Sequence, residues 1–95
     1  MKLTLHEARR RIQAILAAPF TLSRKVREIA RVTRQIKRER RRVEASLEVL
    51  ERAHDDDGVR RLERLMAGFM TIQEEARAAY LMLVGPPDRV LSAAA

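Results

Sequence analysis

The segment from Leu22 to His54 constrains this chain more than any other, because it reads as one uninterrupted helix carrying two stripes. Leu22, Val26, Ile29, Thr33, Ile36, Arg40, Val43, Leu47, Leu50 and His54 follow one another at alternating spacings of four and three. That is the period of a coiled-coil seam, which brings one mostly apolar line to a partner helix. On the opposite side Arg24, Arg27, Arg31, Arg34, Arg38 and Arg41 repeat the same alternation. One face is therefore suited to burial, and the other is a row of guanidinium groups. At 1.5 Å per residue the helix is roughly 45–50 Å long.

The flanking segments supply partners for the seam. Thr4 and Glu7 have the spacing of a capping box, in which the Thr4 hydroxyl accepts from the Glu7 amide and the Glu7 carboxylate reaches back. A helix from Leu5 to Ala18 follows, with Leu5, Ala8, Ile12, Ile15 and Leu16 on its apolar face. Pro19 ends it by disfavouring a helical Ala18. Phe20 is placed to staple the next helix, which Thr21 or Ser23 can cap. The run Asp55-Asp56-Asp57-Gly58 predicts a turn, with Gly58 supplying backbone freedom and Asp57 capping a third helix over residues 58–84. Its seam is Val59, Leu62, Met66, Phe69, Gln73, Ala76, Tyr80 and Leu83, widened by Leu65, Ile72 and Ala79. Gly85-Pro86-Pro87 stops it and leaves residues 85–95 as a loose tail.

So short a turn makes the second and third helices antiparallel neighbours. With the turn centred near residue 56, facing positions sum to about 113. That register sets Arg40 beside Gln73 and Glu74, and Thr33 beside Tyr80. A cation on a seam needs a partner or a route to water, and Glu74 is the expected partner of Arg40. The third helix turns apolar on all sides near its end. Tyr80, Leu81, Met82, Leu83 and Val84 therefore form the expected oligomer interface. The fold class that emerges is all-α: a short N-terminal helix packed on a long, coiled-coil-like antiparallel helical hairpin, in one domain and oligomeric.

Composition narrows the chemistry. The 95 residues hold no Cys and no Trp, and only three Gly and three Pro, too little turn material for a β-rich chain. Ala78 to Val84 is the longest fully apolar run, far short of a membrane span. Met1 to Ala18, interrupted by Arg9, Arg10 and Arg11, does not read as a signal peptide, so a cytoplasmic location is expected. The charge of +7 is divided into +11 over residues 1–42 and −4 over residues 43–95. This asymmetry predicts a polyanionic partner for the first half, or association between unlike halves of two copies. Arg supplies 17 of the 20 basic residues. An Arg-rich proteome would favour that choice by itself, and a merely solvated basic face is the competing explanation of the row.

No enzyme is expected. The two histidines, His6 and His54, lie on different elements, and there is no thiol nucleophile or glycine-rich phosphate loop. Glu74 and Glu75 are adjacent and diverge on a helix. A calcium loop with its glycine at Gly58 would need oxygen ligands where Ala53 and Arg64 stand, so no metal and no cofactor are expected. The strongest functional signal is the basic row. Arg24, Arg27, Arg31, Arg34, Lys37, Arg38, Arg41 and Arg42 are the candidate nucleic-acid-binding residues, suited to phosphate contact without sequence reading. Lys25 also flanks the row, and Arg9 to Arg11 join it if the first helix folds back alongside. The alternative is an adaptor or chaperone whose basic helix docks on an acidic protein surface. A role at a membrane surface is not expected, because the face opposite the row is a narrow seam. Helical-hairpin oligomers of this size occur among DNA-packaging accessory subunits and secretion chaperones, an analogy of architecture only.

Overall fold

A computed structural model describes residues 3–85. Three helices follow in order: α1 (Leu5–Ala17), α2 (Leu22–Arg52) and α3 (Asp56–Val84). No strand occurs among the described residues. The expected tail from residue 86 onward lies outside them. The helices form an elongated slab of 55 × 30 × 15 Å with a radius of gyration of 16.5 Å. A compact domain of this length would have a radius of about 12 Å.

The expected register holds. Arg40 Nη1 donates to Gln73 Oε1 at 2.8 Å, and Thr33 and Tyr80 line one groove, so α2 and α3 run antiparallel with facing positions near the expected sum. Ile29, Ile36 and Val43 of α2 are buried, as are Phe69, Ile72 and Ala76 of α3. Each isoleucine withdrawn from water contributes roughly 1.5–3 kcal/mol. α1 lies against both long helices, antiparallel to α2 and parallel to α3. Leu3 sits beside Val43, Ile15 beside Val32, and Arg9 reaches Glu75. This third helix explains two residues that the seam did not include. Val32 and Glu39 are buried because they face α1, one helical step to the side of the α3-facing line. Ala8, Ile12 and Ile15 complete the core from the α1 side. Gly68 lies where α1 meets α3: a Cβ there would stand 2.6 Å from Leu5 Cδ1, so the Leu5 side chain would have to shift.

The ends of the helices correct several expectations. Thr4 caps α1 through the Glu7 amide at 3.1 Å, but the return bond from the Glu7 side chain is not made. Ala18 is extended ahead of Pro19, and Thr21 caps α2 through the Arg24 amide at 3.2 Å. Phe20 does not staple an apolar residue, since the position it would meet is Lys25; its ring instead lies under the Arg24 guanidinium, 3.8 Å from the carbon to the ring centroid. Leu22, placed on the seam by spacing, is 58% exposed, because α3 ends before it can reach so far along α2.

The turn between α2 and α3 uses other residues than Asp57 and Gly58. His54 takes the left-handed conformation, with φ 57. Its N–H donates to Glu51 O at 3.2 Å, and the Asp55 N–H donates to Leu50 O at 3.0 Å. These two bonds form a Schellman closure that satisfies terminal carbonyls of α2. Asp55, rather than Asp57, then caps α3, its carboxylate accepting from the Gly58 amide at 3.0 Å. Gly58 is helical and buried, pressed between the Asp55 cap and Leu50. Asp56 and Asp57 sit in the first turn of α3, where negative charge complements the helix dipole. Gly85, with φ 79, ends α3.

A non-glycine residue in the left-handed region costs about 1–2 kcal/mol, partly offset by the greater chain entropy that glycine loses on folding. The substitution His54→Gly is therefore expected to raise the unfolding free energy by about 0.5–1 kcal/mol. Loss of the cap in Asp55→Ala is expected to lower it by about 1 kcal/mol. Urea unfolding followed by circular dichroism measures both, and opposite signs for the pair are required.

Candidate functional site

The row of arginines occupies the side of α2 turned away from both neighbouring helices. Arg24, Arg27, Arg31, Arg34, Arg38 and Arg41 are all exposed. Over 17 residue intervals the row spans roughly 26 Å. The eight candidate residues divide by what their side chains already touch. Arg24 is engaged with the Phe20 ring, Arg31 lies 3.6 Å from the Glu28 carboxylate, and Arg42 pairs with Glu39 at 2.9 Å. Arg27, Arg34, Lys37, Arg38 and Arg41 make no ion pair or side-chain hydrogen bond among the described residues. Lys25 leaves the row: its Nζ donates to Leu16 O at 2.8 Å and satisfies a terminal carbonyl of α1.

α1 extends the basic surface along one flank. Arg11 Nη1 donates to Gln35 Oε1 across the α1–α2 crevice, at 2.6 Å. Farther along the same crevice a cavity of about 240 Å³ is bordered by Arg11, Arg38 and Arg42, with Glu7 and Glu39 below. Glu39 is buried to 8% exposure and keeps its charge compensated by Arg42. An unpaired carboxylate at that depth would be costly. Arg10 is exposed on the outer side of α1. Arg9 does not join this surface. It faces α3 and forms a two-point contact with Glu75, Nε to Oε2 at 3.1 Å and Nη2 to Oε1 at 3.0 Å. The hydrogen bond and the charge of Glu75 raise the Arg9 pKa above its already high ordinary value, so Arg9 is a permanent cation holding α1 to α3.

On the other flank of the row lies the α2–α3 groove, open on the side away from α1. Arg34 and Lys37 of α2 face Arg77 of α3 across it, with Thr33, Gln73 and Tyr80 along its length. Glu74 is the carboxylate at this groove, but it is not the partner of Arg40. Arg40 donates to Gln73 and lies 3.5 Å from Glu44 on its own helix, and its Nε is buried without a hydrogen bond. The intrahelical Glu44 reaches Arg40 with less reordering than Glu74 would need from across the groove. Arg77 was not among the residues that spacing selects, because its importance comes from the register that carries it to Arg34 and Lys37. The residues expected at an oligomer interface separate. Leu83 packs on the core, Leu81 is half-buried, and Tyr80 lies in the groove, leaving Met82 and Val84 as the outward apolar side chains.

Among the described residues no three His, Asp or Glu side chains gather in a way that could hold a metal ion, and no helix is long and apolar enough to cross a membrane. Comparison with protein-family models, curated proteins and solved structures yields no match, so the functional reading rests on the geometry of the chain itself.

Proposed function

We propose that this chain is a non-enzymatic assembly module whose arginine-rich α2 face grips the phosphate backbone of nucleic acid without reading its sequence, as an accessory subunit of DNA packaging or handling would. The observation that carries this reading is the unpaired part of the row: Arg27, Arg34, Lys37, Arg38 and Arg41, exposed on one face of a rigid helix. Acids on adjacent turns would neutralise such a row and stabilise the helix, whereas like charges at helical neighbours weaken it by a few tenths of a kcal/mol per pair. A polyanion removes that repulsion. Duplex DNA carries one negative charge per about 1.7 Å of axis, so a row of roughly 26 Å lies along a stretch bearing about 15 phosphates, of which the near ones are in reach. The row is straight and chemically uniform, with no amide or short polar side chain among its members, so it matches backbone contact rather than base readout.

Self-association belongs to the same proposal. Met82 and Val84 are exposed at 73% and 40%, and Leu22 is exposed at the same end of the bundle. A second copy, joined in the manner of a coiled coil or bundle, would cover them and set two basic faces side by side.

Two experiments test the proposal. With about five phosphate contacts, affinity for unrelated duplexes should be equal and should fall several hundredfold between 50 and 200 mM salt. The fourfold substitution Arg27→Glu, Arg31→Glu, Arg34→Glu and Arg38→Glu should abolish binding while helicity stays unchanged. If the wild-type chain shifts no duplex at low salt but binds an acidic polypeptide, the adaptor reading replaces this one. In light scattering the chain should show a mass above the 10.9 kDa of one copy. Met82→Glu with Val84→Glu should return it to one copy; a wild-type monomer at all concentrations contradicts self-association.

A further inference from the structure

The α2–α3 groove holds more than cations. Tyr80 is the one tyrosine in a chain without tryptophan, and it stands 39% exposed in the same groove as Arg34, Lys37 and Arg77. A tyrosine needed only as core would be expected on the buried line, which α3 fills there with Ala76 and Ala79. The groove is about 460 Å³, within the range of pockets that take small ligands. Its three cations outnumber the single carboxylate of Glu74.

Gln73 adds a defined donor. Arginine can only donate, so the Gln73 atom that meets Arg40 Nη1 must be the carbonyl oxygen. The amide NH₂ of Gln73 is thereby left for another acceptor. Thr33 donates its hydroxyl proton to Ile29 O at 2.8 Å and retains oxygen lone pairs that can accept.

We infer that this groove is a nucleotide subsite for single-stranded nucleic acid: an unstacked base lies on the Tyr80 ring, its flanking phosphates are held by Arg34, Lys37 and Arg77, and the Gln73 amide donates to the base edge. The inference rests on the backbone-binding reading of the α2 face, to which it adds a preference for strands whose bases are unpaired. A duplex keeps its bases stacked inside the helix and cannot present one to Tyr80. Stacking tolerates every base, because each has a π-face, so the subsite confers strand preference without sequence preference. The cations on the two sides of the groove come from different helices, which directs the strand along the α2–α3 seam rather than across the outer row.

The test compares oligothymidylate with an abasic deoxyribose-phosphate strand of equal length and charge, using the full chain. The wild type should bind oligothymidylate roughly five- to a hundredfold more tightly than the abasic strand, the range expected for one stacked base. The Tyr80 ring signals, identifiable without assignment, should move upfield with oligothymidylate and stay in place with the abasic strand. Tyr80→Phe should keep the difference between the strands, and Tyr80→Leu, which keeps an apolar side chain at a half-exposed position, should erase it with helicity unchanged. Equal affinity of the wild type for the two strands overturns the subsite and leaves backbone binding standing. Failure of both strands and of duplex to bind overturns the subsite together with the reading beneath it.

Discussion

Asp55 belongs to two helices at once, and the arrangement of the molecule depends on it. Its N–H closes the end of α2 on Leu50 O, and its carboxylate opens α3 on the Gly58 amide. With only Ala53, His54 and Asp55 between the helices, no slack remains for a shifted pairing. The register that follows buries Ile36 and Ile72 in the core and brings Arg40 to Gln73. It also carries Arg77 and Tyr80, far from the arginine row in sequence, to the flank of that row. A slip of one helical turn would leave the same helices and the same charges, but it would dissolve the groove.

Division of labour around the circumference of α2 is the second constraint. One side faces α3, the adjoining side faces α1 through Val32 and Glu39, and the remaining side carries the arginines. Because burial and charge occupy separate arcs, neither compromises the other, and the guanidiniums stay in water where their charge costs little to keep. The two exceptions show what happens at the borders. Glu39 is buried and needs Arg42, while Arg40 enters the α2–α3 contact, where Nη1 donates to Gln73 and the buried Nε, without a hydrogen bond, lies 3.5 Å from the Glu44 carboxylate.

Much of the fold could be read from spacing. The three helices, their order, the α1 cap at Thr4 and the α2–α3 register all follow from periodicity and turn residues, while the α2 cap is narrowed only to Thr21 or Ser23. What escaped has a common physical origin. A seam of alternating threes and fours describes contact with one partner, so it cannot show that a third helix widens the buried arc to Val32 and Glu39. Glycine favours the left-handed region, so the sequence points to Gly58 for the turn, but His54 occupies that conformation, and Asp56 and Asp57 begin α3 instead of forming a loop. Gly68 carries no local signal, since its role is set by Leu5 on another helix. For the candidate site, the row itself was legible, whereas the commitments of Arg24, Lys25, Arg31 and Arg42 and the arrival of Arg77 depend on side-chain packing and register. Arg9, Arg10 and Arg11 are contiguous in sequence yet point to different partners, as successive residues on a helix must.

α2 presents a surface of uncommitted guanidinium groups, while the arginines engaged elsewhere serve the fold. The Nε–H signals of the arginines, followed by nuclear magnetic resonance as a duplex is added at low salt, test it residue by residue. Arg27, Arg34, Arg38 and Arg41 should shift together and saturably, while Arg9 on Glu75 and Arg40 on Gln73 remain where they are. Shifts confined to Arg52, Arg60, Arg61 and Arg64 at the far end of the hairpin, or no shift in any arginine, would contradict it.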